Sequence, residues 1–229
     1  MKNSKLRRVL LLLACAVMLV SLSVGATLAY LTGKDEVVNT FTVGNVQIKL
    51  DEAKVNTDGT YVTDHDNRVK ANEYHLMPGH TYYKDPTVTV LAKSEDCYVR
   101  AFVTVENYQQ LVKAFTNHSE HWQDDLFLLE TVVDGWDRSQ WDVYKADTAT
   151  GVYEFRYIGE KCVTGTTYVD GGAADVVLDD LFESLTIPGY LTNAELAELQ
   201  NIKITVTAQA IQADGFATAD LAWAQWINE

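Results

Sequence analysis

The sequence predicts an all-β chain: a two-sheet β-sandwich with a few short helices, preceded by a signal-peptide helix. Three observations lead there. Apolar and polar residues alternate with a period of two in several separate stretches, the pattern of half-buried strands. No strand alternates with a long helix and no glycine-rich phosphate loop appears, so a βαβ fold is disfavoured. A basic, apolar leader stands ahead of the first such stretch.

In that leader Lys2, Lys5, Arg7 and Arg8 precede an unbroken apolar run from Val9 to Val20, and Gly25-Ala26-Thr27-Leu28-Ala29 closes it. Positive, apolar and small-residue regions in that order read as a secretory signal. Ala29 suits the position before the cut and Thr27 the position two earlier, so the mature chain is expected to begin at Tyr30. Residues 1–29 are then the signal and 30–229 one domain. Two other readings stay open. With Leu22 and Leu28 the apolar stretch approaches the roughly 20 residues that span a bilayer, which would make it an uncleaved anchor. Leu12-Leu13-Ala14-Cys15 also has the look of a lipobox with Cys15 acylated, although the apolar run continues well past Cys15.

Val46, Ile48 and Leu50 alternate with Gln47 and Lys49 as a first strand. Asn56 to Asn72 is polar and acidic, with Asp58-Gly59 as a turn signal, and reads as a surface hairpin or loop. Pro86 to Leu91 is a strand opened by proline, where the missing N–H does least harm. Cys97 to Val105 puts Tyr98, Arg100, Phe102 and Thr104 on one face and Val99, Ala101, Val103 and Val105 on the other. Gln109 to Phe115 turns helical, with Leu111, Val112 and Phe115 as its apolar stripe. Trp141–Tyr144 and Val152–Ile158 flank the turn residues 147–151 as a hairpin. Thr192-Asn193-Ala194-Glu195 is a capping box opening a short helix through Leu199. Ile202 to Ile211 reads as the longest alternating strand. Thr218 to Ile227 reads as a helix docking Leu221, Trp223 and Trp226.

The segments on either side of the cut carry a resemblance. Ala26-Thr27-Leu28-Ala29-Tyr30-Leu31-Thr32, then Asn39-Thr40-Phe41-Thr42-Val43-Gly44-Asn45-Val46, resembles the signal and first strand of the camelysin/TasA group. These are secreted biofilm-matrix fibre proteins of Gram-positive bacteria, processed by a dedicated SipW-type signal peptidase. The strand Ile204 to Ala213 with Asp214-Gly215-Phe216 is similar to the group's terminal strand, and Met77-Pro78-Gly79-His80 through Asp85-Pro86-Thr87-Val88 fits more loosely. The resemblance implies a jelly-roll sandwich that polymerises into extracellular fibres. It also raises metallopeptidase activity, since camelysin-type proteins have been classed so.

Composition bounds the partners. The chain carries a formal charge of −14 from 18 basic and 32 acidic residues. Four of the basic residues lie in the acid-free leader, leaving 14 against 32, a charge of −18, downstream. Such a surface opposes nucleic acid and anionic lipid, so membrane contact is expected only through the uncleaved leader. Acidic loops at Asp64-His65-Asp66-Asn67, and at Asp175 with Asp179 and Asp180, could offer oxygen ligands to Ca²⁺, but no EF-hand pattern is met. Solvated acidic loops are the commoner explanation. Past the leader only Cys97 and Cys162 remain, either as a disulfide outside the cell or as small apolar residues.

The chemistry-bearing residues form no catalytic pattern. No His-Glu-x-x-His occurs; His118-Ser119-Glu120-His121 has the wrong spacing, though ligation with Asp124 or Asp125 is conceivable. His65, His75 and His80 are scattered, and no Gly-x-Ser-x-Gly elbow exists. Trp122, Trp136, Trp141, Trp223 and Trp226 read as core or end caps, or as a carbohydrate groove. The expected function is therefore structural: a secreted, self-assembling protein of the matrix or cell surface, with matrix or cell-wall partners and no enzyme activity, cofactor or metal. Tyr30, Leu31, Val37, Val38 and Phe41 would form a donor strand that pairs head to tail with a neighbour's sheet edge. The alternatives are a secreted metallopeptidase and a monomeric adhesion or carbohydrate-binding module.

Overall fold

The computed structural model describes residues 7, 10–18, 45–62, 67–118, 128–199 and 202–226. The chain divides into two units, Met1–Val43 and Gly44–Glu229. In the first, residues 10–18 are helical and exposed. Among the described residues no helix is long and apolar enough to cross a membrane. The Ala29–Tyr30 cut and the donor residues Tyr30, Leu31, Val37, Val38 and Phe41 lie outside the described residues.

The second unit is mostly β, with three antiparallel sheets and a few short helices among its described residues. The first sheet runs β2 (Arg68–Val69), β1 (Ile48–Ala53), β4 (Thr87–Val90), β9 (Val176–Val177). The second runs β3 (Thr81–Tyr83), β10 (Ser184–Thr186), β6 (Val133–Asp134). The third, with the longest strands, runs β11 (Lys203–Gln212), β5 (Cys97–Glu106), β8 (Val152–Tyr157), β7 (Trp141–Asp147). The helices are α1 (Tyr108–Thr116), α2 (Asn193–Glu198) and α3 (Ala219–Trp223), with a single π turn at Leu128–Val132.

One apolar core draws on all three sheets. Val88 and Val90 of β4, Tyr82 of β3, Leu185 of β10, and Val99, Ala101, Val103, Tyr153 and Phe155 of the third sheet belong to it. The alternation in β5 holds as expected: its odd-numbered residues are buried inward, while Arg100, Phe102 and Thr104 face out at intermediate exposure. β11 equals β5 in length and is not the longest strand by itself.

Local chemistry explains the turns. Thr192 accepts from the Glu195 N–H at 3.3 Å while Glu195 accepts from the Thr192 N–H at 2.8 Å, completing the capping box of α2. Donation from the Thr192 backbone N–H, then from the Asn117 amide and the Thr192 hydroxyl, holds the Glu195 carboxyl at about 2. Gly151 closes the β7–β8 turn at φ 73°, and a Cβ there would stand 2.5 Å from the Tyr108 Cβ, so the start of α1 packs directly on that turn. The helical stripe of α1 is buried through Leu111 and Phe115, with Ala114 also inside.

α3 is shorter than the 218–227 pattern predicts and docks differently. Ala222 is fully buried and Trp223 nearly so, but Leu221 is 54% exposed. Successive residues point about 100° apart around a helix, so seating Ala222 and Trp223 on Tyr98 turns Leu221 outward.

The 56–72 excursion is tied down electrostatically. Arg68 donates from Nε to Asp51 at 2.9 Å and from Nη1 to Asp85 at 2.6 Å, and reaches the Thr87 hydroxyl at 2.6 Å. Beside it Lys84 pairs with Glu52, both nearly buried. Each buried charge has its opposite, the condition for tolerating it away from water.

Candidate functional site

Two features of the third sheet stand out: an edge left unpaired among the described residues and an aromatic cleft on its outer face. The edge is β11. Its register with β5 runs unbroken from Lys203↔Glu106 to Gln212↔Cys97. Ala213 N–H donates to the Asp96 carbonyl at 2.7 Å in the same register, so hydrogen-bonded pairs recur at every second position back along the strand. The odd-numbered residues of β11 therefore turn their peptide groups toward β5. Ile204, Val206, Ala208, Ala210 and Gln212 turn theirs to the other edge, where no described strand pairs with them. The inward side chains of Ile204, Val206, Ala208 and Ala210 are only partly buried against the core. β11 is thus unfinished both in its hydrogen bonding and in its burial among the described residues. β1 comes within 8 Å of it between Cα atoms without pairing.

The cleft lies on the opposite face. β5 and β8 pair Arg100 with Arg156 and Phe102 with Glu154, which sets two guanidinium groups side by side. Glu154 accepts from both, at 3.5 Å from Arg100 and 3.4 Å from Arg156. Arg100 also donates to Gln209 at 2.9 Å, and Arg156 pairs with Asp220 of α3. Burial pulls the Arg100 guanidinium below its ordinary value, with Glu154 opposing.

Aromatic rings frame these charges. Arg100 lies 4.1 Å from the Trp223 ring centroid, 5.0 Å from Phe102 and 5.7 Å from Trp226. The register of β7 against β8 shifts between Val143 and Lys145, leaving Tyr144 as the extra residue of a bulge. Bulges re-aim side chains, and here the Tyr144 ring sits 3.3 Å from Arg156 while staying 52% exposed. Two adjoining cavities of about 240 and 260 Å³ share Tyr144, Arg156, Asp220 and Trp223 in their walls. The indole Nε1 of Trp223 is buried and has no hydrogen-bond partner among the described residues.

The residues singled out in the sequence do not converge. Cys97 and Cys162 are free thiols on opposite sides of Val169, each pairing with it. Burial pushes Cys97 up to about 12 and Cys162 to about 11. His80 bonds the Asp58 carbonyl at 2.7 Å, and His118 lies 3.3 Å from Glu195 and against the Tyr190 ring. His65, His121, Asp64, Asp66, Asp124, Asp125 and Trp122 lie outside the described residues. Asp175 accepts from the Ala92 N–H and Asp179 from the Tyr157 hydroxyl, so each serves a local bond. Among the described residues no group of three histidine, cysteine or acidic side chains is placed to hold a metal ion. Trp141 is fully buried, donating to the Asp179 carbonyl, and Trp136 donates to the Trp141 carbonyl.

Of the cleft, sequence reasoning had only the outward positions of β5 and the presence of Trp223 and Trp226. The bulge at Tyr144 and the pairing of Arg100 with Arg156 depend on strand register, for which no local signal exists. No protein-family model matches the chain, and neither a curated protein nor a solved structure gives a significant match.

Proposed function

We propose that this chain is a secreted structural protein of the camelysin/TasA kind, whose second unit is a jelly-roll-like sandwich that joins into extracellular fibres by donor-strand pairing. The outer edge of β11, unpaired among the described residues, carries the reading. A strand added there would take up the outward peptide groups of Ile204, Val206, Ala208, Ala210 and Gln212. It would also cover the half-buried side chains beneath. An open edge of this length is a liability unless something pairs with it. The contribution of both large sheets to one core supports the sandwich.

The donor is the segment Tyr30–Phe41, which ends just before β1. Val37, Val38 and Phe41 supply apolar side chains, and the leader holds the segment until cleavage after Ala29 frees it. Pairing between one subunit's N-terminal segment and the next subunit's β11 uses two different surfaces, so it propagates instead of closing. A self-assembling, exported protein with matrix or cell-wall partners follows.

The test is deletion. Protein beginning at Tyr30 should form filaments visible by electron microscopy. Protein lacking Tyr30–Thr40 should keep its β-rich circular dichroism and stay dispersed. Filaments of undiminished yield from the deleted form would remove the donor role.

A further inference from the structure

The geometry points to a second property, independent of fibre assembly: the cleft between α3 and the outer face of the third sheet binds a ring of a neutral glycan. The first observation is the orphaned indole. Trp223 is 7% exposed, its Nε1 has no partner among the described residues, and it lines both cavities. A buried N–H without an acceptor carries a desolvation penalty that a ligand oxygen relieves. The second is Tyr144, an aromatic ring held out by a bulge and kept half exposed. The third is a pair of carboxylates at the rim: Asp220, and Asp142, exposed and paired in register with Arg156.

These groups select among ligands. Both guanidinium groups already face carboxylates, and five charged side chains (Arg100, Arg156, Glu154, Asp220, Asp142) leave the cleft slightly negative, within a strongly acidic unit. A polyanion would have to displace those pairs. An ammonium group has no acceptor to offer the Trp223 N–H. A purely apolar chain would leave that N–H and the rim carboxylates unpaired. A pyranose satisfies all three requirements. Its C–H face lies on the face of the Tyr144 ring that the Arg156 guanidinium leaves uncovered, one oxygen accepts from Trp223 Nε1, and its hydroxyls donate to Asp142 and Asp220. Cavities of about 240 and 260 Å³ suit one or two sugar rings rather than a large cofactor.

The experiment uses ¹⁵N-labelled protein beginning at Tyr30 and carrying Ala208→Pro, designed to keep it dispersed. It is titrated with neutral gluco-, galacto-, manno- and N-acetylglucosamine pentasaccharides and with polygalacturonate as the anionic probe. At least one neutral sugar is expected to shift the Trp223 indole N–H resonance. Tyr144→Ala should then weaken that sugar's binding at least tenfold. Trp223→Phe, which keeps an aromatic ring but removes the donor, should weaken it severalfold while the protein keeps its β-rich circular dichroism. The inference is overturned if no neutral sugar moves the indole signal, if only polygalacturonate binds, or if Tyr144→Ala binds as well as the parent. None of these outcomes bears on filament formation, which the deletion of Tyr30–Thr40 decides separately.

Discussion

Cys97 and Cys162 flank Val169, which exchanges backbone bonds with Cys97 at 3.0 and 2.8 Å on one edge and pairs with Cys162 on the other. Two strand spacings separate their backbones by roughly 9–10 Å. A disulfide needs Cα atoms within about 7 Å. The interposed valine, fully buried, therefore keeps the thiols apart.

The folded protein should accordingly keep both thiols under oxidising conditions. Intact mass under non-reducing conditions should show no loss of two hydrogens. A thiol reagent should modify Cys97 only after unfolding, since it is buried and its pKa is pushed up to about 12. A native Cys97–Cys162 crosslink in peptide mapping would contradict the arrangement around Val169.

Proline distinguishes the two edges of β11. Ala208 turns its N–H outward, so Ala208→Pro should leave the β5–β11 ladder intact and the fold stable while abolishing filaments. Gln209, paired with Arg100, turns its N–H toward β5. Gln209→Pro should lower the melting temperature clearly, with about 1 kcal/mol lost from the ladder bond alone and more from the clash of its ring with β5. Electron microscopy and thermal denaturation of the two variants separate assembly from stability.

Arg68 is the keystone of the polar cluster under the first sheet. Arg68→Met would leave Asp85, whose side chain is 7% exposed, without its opposite charge and with only the Ala53 N–H as donor among the described residues, at a cost of about 3 kcal/mol by denaturant titration.

The same cluster makes stability depend on pH in two opposing ways. Burial tends to raise the Asp51 carboxyl, but hydrogen bonds from Lys49 and Arg68 outweigh it and hold the folded value below the ordinary one. Its stabilisation is thus complete above the unfolded value of about 3.9 and lost as pH falls through the folded one. Asp180 is raised, first by burial and then by Asp85 and Glu183, with its own backbone N–H and Arg68 opposing. Its ionised form costs stability at neutral pH, and that cost disappears as the pH drops below the unfolded value. Asp180→Asn should therefore raise the melting temperature at pH 7 and leave it unchanged near pH 3. Equal melting temperatures at pH 7 would contradict the burial argument.

Much of the fold is legible in the amino-acid sequence alone. The two faces of β5, the β7–β8 hairpin, the capping box at Thr192 and the stripe on α1 all stand where periodicity and turn chemistry put them. These signals are short-ranged: a cap or an alternation is decided by residues within a turn or a strand of one another. Leu221 shows where such reasoning stops, because which side of a short helix docks depends on what lies beneath it, here Tyr98.

By itself the sequence determined a basic, apolar N-terminal stretch, a strongly acidic balance downstream of it, the mostly β composition and the positions of the longer strands. The tertiary structure alone decided that β11 has an outer edge unpaired among the described residues. It also decided that Val169 stands between the two cysteines, and that Arg100, Arg156, Tyr144 and Trp223 meet in one cleft. The β5–β11, β5–β8 and Cys97–Val169 pairings join residues 48 to 115 apart, while the β7–β8 and Cys162–Val169 pairings join residues 5 to 16 apart. A side chain's periodicity says which way it faces; only the pairing of distant strands says what it faces.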